Sequence, residues 1–327
     1  MRGFTFSRPA SVRDALAQAG PGTAFLAGGT TLVDLMKLDV MGPGRVLDIN
    51  RLPLRGITLD ADGLHIGALD RMSDVAAHRI VRTDYPVIAE ALELSASGQL
   101  RNMASIGGNL LQRTRCGYFR DVASPCNKRE PGSGCAALTG VNRGHAILGT
   151  SDSCIATHPS DLAVALVALG AGVHLASARG TRTVPLDAFY QLPGSTPQIE
   201  NALRPGELIT GVTVPRSRWA AQSVYLKIRD RQSYEFALAS AAVALEVRRG
   251  TIVAARIAVG GVATRPWRLT AVETALAGRR ATDEVFEAAA ARAADGAQPR
   301  EHNSFKPALL RRTVVRALTV LRERGHA

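Results

Sequence analysis

The sequence predicts an α+β protein in two parts, on three observations. Short helical and strand-like patterns interleave from residue 11 to residue 215 without one dominant repeat. An irregular stretch at about 111–157 interrupts them, punctuated by Pro125, Pro131, Gly132, Gly134 and Gly140. Residues 215–221 then resemble a boundary, after which the composition shifts to alanine, valine and arginine. The expected division is 1–217 and 218–327, with the irregular stretch as an insertion in the first part.

Ser11 can cap a helix with Asp14 three residues on, and Ala15, Leu16 and Ala19 form its apolar side. Ala24-Phe25-Leu26 is a short strand that runs through Ala27-Gly28-Gly29-Thr30-Thr31 into a helix at 32–37. A strand at 45–49 and a hairpin over 57–66, turning at Asp60-Ala61-Asp62-Gly63, come next. Helices at 73–78 and 85–96 lead to a second glycine turn, Ala104-Ser105-Ile106-Gly107-Gly108-Asn109. Beyond the insertion the pattern gives a helix from Pro159-Ser160-Asp161 to Leu169 and strands at 172–175 and 208–214. The second part offers a strand at 224–229 and a hairpin of 237–247 with 252–259 turning at Arg249-Gly250, although the alanines of 237–245 equally suit a helix. Three helices close the chain near 267–276, 283–293 and 307–324.

Composition narrows the function classes. No stretch has the roughly 18 apolar residues of a membrane span, and Met1-Arg2-Gly3-Phe4-Thr5-Phe6-Ser7 has no apolar signal core, so no span and no export address of its own are expected. Forty basic and 28 acidic residues give a net charge of +12, which suits nucleic acid, an anionic surface or an acidic partner. The charges are dispersed, however. The densest group, Arg311, Arg312, Arg316, Arg322 and Arg324, shares a helix with Leu310, Val314, Leu318 and Leu321 on its other face. A solvated face is the simpler expectation and an acidic partner the second; no nucleic-acid-binding signature is present.

Two glycines before a helix leave backbone N–H groups and the helix dipole open to a phosphate, and Thr30 and Thr31 add hydroxyls. The signal is weak alone, because most such pairs are ordinary turns, and the same holds for Gly107-Gly108-Asn109. Neither G-x-G-x-x-G nor G-x-x-x-x-G-K-[ST] occurs, so a Rossmann or P-loop site is not expected. Nor is there a nucleophile elbow, an H-E-x-x-H or a Ser-His-Asp arrangement.

All four cysteines, Cys116, Cys126, Cys135 and Cys154, fall in the insertion. Such crowding marks a site, but the spacing is neither that of structural zinc nor that of a ferredoxin, which leaves a metal or cluster, two disulfides and free thiols all open. His145 and His158 lie in or beside the insertion. As loop histidines they read first as hydrogen-bonding residues and second as ligands.

With these motifs in view, the chain resembles the FAD-binding subunit of the molybdenum hydroxylases, the xanthine dehydrogenase and aldehyde oxidoreductase family. The likeness is carried by Phe25-Leu26-Ala27-Gly28-Gly29-Thr30-Thr31-Leu32-Val33, Leu64-His65-Ile66-Gly67-Ala68, Ala104-Ser105-Ile106-Gly107-Gly108-Asn109-Leu110, Pro159-Ser160-Asp161-Leu162, Pro205-Gly206-Glu207-Leu208-Ile209 and Val259-Gly260-Gly261-Val262-Ala263. It implies a two-part FAD-binding domain of the vanillyl-alcohol oxidase (PCMH) type, followed by a small α+β domain with an antiparallel sheet and three helices, of the CO dehydrogenase flavoprotein C-terminal type. The cysteine insertion departs from most of the family and looks like the subgroup that contains the FAD subunit of periplasmic aldehyde oxidoreductase. There it carries a [4Fe–4S] cluster.

Carried over, Leu26, Ala27, Gly28, Gly29, Thr30, Thr31, Leu32 and Val33 wrap the FAD pyrophosphate, and Ser105, Gly108 and Asn109 close over it. Asp161 binds a ribose or phosphate-side hydroxyl, Ile209 and Lys227 contact the nucleotide or ring, and the four cysteines hold the cluster. The implied partners are a molybdopterin-binding large subunit, a small subunit with two [2Fe–2S] clusters, and an external electron acceptor; no nucleic acid is expected. The rivals are a self-standing flavin oxidase of the vanillyl-alcohol oxidase superfamily, for which no base is evident, and a basic nucleic-acid-binding module. Cofactor assembly implies the cytoplasm, with export of the folded complex on a partner's twin-arginine signal as the alternative.

Overall fold

The structure, a computed structural model, describes residues 1–325. Strands β1 (Thr5–Ser7), β2 (Thr23–Leu26) and β3 (Arg45–Asp48) form a small parallel sheet in the order β1-β3-β2. The helices Val12–Gln18 and Leu32–Lys37 make the crossovers that parallel pairing demands. Ser11 caps the first of them by accepting from the Asp14 N–H at 3.0 Å.

A second sheet is antiparallel. It comprises β4 (Ile57–Leu59), β5 (Gly63–Gly67), β6 (Gly172–Ser177), β7 (Gly180–Pro185) and β8 (Leu208–Pro215), in the order β4-β5-β8-β6-β7. The helix Asp161–Ala168 is buried at all eight positions, because it is covered from two sides. Leu162 and Leu166 share a core with Leu64, Ile66 and Val212 of the sheet, and also with Ala242, Ala244 and Ala258 of the C-terminal part. Each fully buried Leu or Val there contributes about 1.5–3 kcal/mol. Gly260 permits the close approach, since a Cβ would stand 2.6 Å from Val164 Cγ2.

The C-terminal part is a four-stranded antiparallel sheet of β9 (Ser223–Ile228), β10 (Ala239–Arg248), β11 (Thr251–Gly260) and β12 (Trp267–Arg268), in the order β12-β11-β10-β9. The helices Thr270–Leu276, Asp283–Ala290 and Lys306–Arg324 pack on it. The alanine-rich segment is thus a strand, not a helix, and small side chains suit a strand buried on both faces. The β10–β11 turn uses two left-handed residues, Arg249 (φ 50°) and Gly250 (φ 76°). Trp267, expected to begin a helix, instead pairs with Val259, and the helix starts at Thr270. Leu310, Val314, Leu318 and Leu321 of the last helix face the core, while Arg322 pairs with Asp283 (2.9 Å) and Arg324 with Glu90 (2.6 Å). No helix of the described residues is long and apolar enough to cross a membrane.

Candidate functional site

The first glycine segment leaves β2 as a loop. Gly29 takes φ +72°, which glycine adopts without strain, and Asn50 Nδ2 donates to the Ala27 carbonyl at 3.0 Å from below. No hydrogen bond among the described residues uses the N–H groups of residues 28–31 as donors. Four consecutive half-buried donors are therefore unused, and Thr30 and Thr31 among them line the adjoining cleft.

The second glycine segment is not a turn. Ile106, Gly107, Gly108 and Asn109 lie within the helix Ile106–Leu110, capped by Ser105, whose Oγ accepts from the Gly108 N–H at 3.2 Å. The two segments touch directly: a Cβ on Gly28 would stand 2.0 Å from the Met103 carbonyl oxygen. Between them and the C-terminal sheet lies a cleft of about 450 Å³, whose lining includes Thr30, Thr31, Gly108, Asn109, Asp161 and Lys227.

Asp161 and Lys227 do not stand apart in this cleft. They form a buried ion pair at 2.8 Å, and the Asp161 carboxylate also accepts from Tyr225 Oη (2.7 Å) and Ser95 Oγ (3.0 Å). Lys227 donates to the Leu94 carbonyl as well. Burial pushes the Tyr225 phenol up, and the neighbouring Asp161 charge adds to it. Ser160 caps the Asp161–Ala168 helix and donates to Asn109 Oδ1 at 2.6 Å. One polar network therefore ties the second glycine segment to the Ser-Asp turn and to β9. Ile209 is placed elsewhere: it is 3 % exposed in the core, opposite Leu175 in the sheet, and does not line the cleft. Leu26 ends β2, and Leu32 and Val33 begin the next helix, so Thr30 and Thr31 are what that segment presents to the cleft.

Sequence reasoning missed the charged wall. Arg115 and Arg120, at the root of the insertion, both bind Asp34 Oδ2, at 3.0 and 2.8 Å. The buried Nε of Arg115 has no partner, and its guanidinium lies 5.4 Å from the Phe236 ring centroid. No local pattern links position 34 to 115, so only the folded chain could reveal the trio. The unused N–H run, ending at Thr30 and Thr31 on the cleft, and the Arg115 side chain beside it give the cleft donors for an anion such as a dinucleotide diphosphate.

The cleft continues past Arg115 into a cavity of about 290 Å³ that reaches Cys116 and His145. Behind it, Cys116, Cys126, Cys135 and Cys154 all line one narrow void. None forms a disulfide. Cys126 and Cys135 are opposed in an antiparallel bridge, and the Ala156 N–H donates to Cys154 Sγ at 3.5 Å. Burial pushes the Cys116 thiol up to about 11 and raises that of Cys154, so neither is a thiolate unless a metal draws the proton off. Among the described residues no group of three or more His, Cys, Asp or Glu side chains is arranged so as to hold a metal ion.

Lys128 and Arg113 fasten the insertion to Glu200 at 3.0 Å each. His145 Nε2 lies 3.2 Å from Cys116 Sγ, and desolvation lowers its pKa to about 4. His158 packs edge-on to Tyr190, with its pKa lowered to about 3 by burial, and its Nδ1 accepts from the Ser160 N–H. It is a structural residue rather than a ligand.

Comparison with known proteins fits this geometry. Residues 2–217 match the FAD binding domain in molybdopterin dehydrogenase, and residues 224–321 match the CO dehydrogenase flavoprotein C-terminal domain. The chain belongs to the family of FAD-binding subunits of the molybdenum hydroxylases. Such a subunit from Escherichia coli, the aldehyde oxidoreductase FAD-binding subunit PaoB, is 48% identical across 98% of this chain and 99% of its own. The glyceraldehyde dehydrogenase medium chain of Sulfolobus acidocaldarius is 29% identical over 97% and 96%. A solved carbon monoxide dehydrogenase from Hydrogenophaga pseudoflava superposes with a TM-score of 0.76 at 28% identity, covering 99% of this FAD-binding subunit and 98% of the solved chain.

Proposed function

We propose that this FAD-binding subunit is the electron-exit component of a heterotrimeric, molybdenum-dependent oxidoreductase of the aldehyde oxidoreductase or xanthine dehydrogenase type. Its partners in this reading are a molybdopterin-binding large subunit and a small subunit with two [2Fe–2S] clusters, and it delivers electrons to an external acceptor. The likeness to PaoB over nearly the whole of both chains supports the aldehyde class. The observation that carries the reading is the cleft itself, lined by Thr30 and Thr31 at the end of a run of unused N–H groups on one side and by Asp161 and Lys227 on the other.

Bound FAD would supply redox chemistry that accepts electrons singly and releases them in pairs. The residues of this chain bind and orient it. The N–H groups of residues 28–31 and the Thr30 and Thr31 hydroxyls hold the diphosphate, Gly108 leaves space for it, and Asn109 and Asp161 fix the hydroxyl-bearing portion. No side chain has to serve as nucleophile or general base. Protein handled anaerobically is expected to carry stoichiometric FAD, released on denaturation; its absence would sink the proposal.

The same reading assigns Cys116, Cys126, Cys135 and Cys154 to a [4Fe–4S] cluster. Four unpaired cysteines around one void, with a backbone donor on Cys154, favour it over disulfides. A cluster spreads its ligands around a cube, so it does not need the tight convergence of a one-ion site. Replacing Cys135 by serine is expected to remove most of the iron, with FAD retained. Unchanged iron would refute the ligand set. Insertion of these cofactors places assembly in the cytoplasm, and export would need a partner's twin-arginine signal.

A further inference from the structure

We propose that His145 donates a hydrogen bond to the Cys116 sulfur and is thereby a positioning residue that sets the reduction potential of the insertion's cluster. This rests on the [4Fe–4S] reading above. The Nε2–Sγ distance of 3.2 Å is within hydrogen-bond range for sulfur. A metal-bound thiolate has no proton to give, so the contact requires the proton on His145 Nε2. The other ring nitrogen, Nδ1, is buried without any partner. The ring therefore spends its one polar contact on this sulfur.

Nothing about the placement is loose. His145 is 8% exposed, and its N–H donates to the Asn142 carbonyl at 2.9 Å. Its own carbonyl accepts from Lys306 Nζ at 2.8 Å and from Asn303 Nδ2 at 3.3 Å, both in the C-terminal part. Lys306 is itself fully buried and also donates to the carbonyls of Gly144 and Gly261, at 3.2 and 2.6 Å. Three carbonyls thus take the three ammonium protons, and the loop carrying His145 is clamped from the far domain. Because the clamp acts on the backbone, the side chain at 145 can be changed without releasing it.

Reduction adds one negative charge to a cluster, part of which resides on the ligand sulfurs. An N–H donor therefore stabilises the reduced form more than the oxidised form and raises the potential. The test compares wild-type protein, His145→Leu, which removes the donor, and His145→Gln, which restores an N–H at a similar reach. Each is purified anaerobically as the full complex, assayed for iron and acid-labile sulfide, and titrated potentiometrically by the EPR signal of the reduced cluster. The expected result is unchanged iron in all three, a lower midpoint potential in His145→Leu, and a return towards wild type in His145→Gln.

An unmoved potential in His145→Leu with iron retained would overturn the proposal. A shift that His145→Gln fails to reverse would refute the hydrogen bond as its cause. Loss of iron from His145→Leu would make the residue a holder of the cluster and not its tuner. Wild-type complex holding no iron beyond that of the partner's two [2Fe–2S] clusters would defeat the cluster reading itself, an outcome distinguishable because no substitution is involved.

Discussion

The two glycine pairs share a sequence logic and do different physical jobs. Gly28-Gly29 lies in an open loop, with one residue at φ +72° and neighbouring N–H groups unused. Gly107-Gly108 lies inside a short helix, where the Gly107 N–H donates to the Ala68 carbonyl at 2.8 Å. In the first pair, the missing side chains let two backbones meet and let the chain turn. In the second, Gly107 permits packing on Ala68, and only Gly108 opens on to the cleft. A diglycine is therefore not one device. What it contributes depends on which face of the backbone its neighbours occupy.

Four substitutions test that contrast, each read by urea unfolding and by FAD affinity. Gly28→Ala is expected to have the largest effect, about 3 kcal/mol or more of destabilisation, because the new Cβ meets the Met103 carbonyl oxygen at 2.0 Å. FAD binding should fail with it as the two segments separate. A near-normal unfolding midpoint would show that the segments can part freely. Gly29→Ala should cost about 1–2 kcal/mol for holding a side chain at positive φ, with further crowding from Val33 Cγ2 at 3.2 Å. Gly107→Ala is expected near 1 kcal/mol, since the Cβ presses on Ala68 Cβ at 3.1 Å. If Gly107→Ala were costlier than Gly28→Ala, the assignment of roles would be reversed.

Gly108→Ala sharpens the comparison most while changing stability least. A helical Gly→Ala exchange gains up to about 1 kcal/mol, offset here by the Ser105 Oγ at 2.9 Å, so the unfolding midpoint should scarcely move. FAD affinity should nonetheless fall severalfold, because the methyl group stands in the cleft. Unchanged affinity would remove residues 104–109 from the flavin site.

Much of the chain was legible because local rules and tertiary needs agree. The Ser11 cap, the β2-glycine-helix passage, the hairpin turning at residues 60–63 and the Arg249-Gly250 turn all follow from residue type and spacing. β7 was missed because it is an edge strand with Thr181, Arg182 and Thr183 in sequence, and so shows no alternation of apolar residues. The second glycine pair was misread because glycine signals freedom, whereas the Ser105 cap and the bonds to residues 68–70 impose a helix.

In the site, the glycine segments, Asp161 and the cysteines announced themselves by motif. Asp34, Arg115, Asn50 and Lys306 did not, for their roles arise from pairings across long separations. Lys306 lies 161 residues beyond the His145 carbonyl it holds.

By itself, the sequence determined many of the helices and strands, several of the turns between them, and that its thiols belong to one insertion, since these depend on propensities and spacings within a few residues. Only the tertiary structure decided that Asp161 neutralises Lys227, that two arginines share Asp34, and that a distant lysine clamps the loop beside Cys116. Burial makes an unpartnered charge or carbonyl costly, and which partner meets that demand is set by how the layers pack.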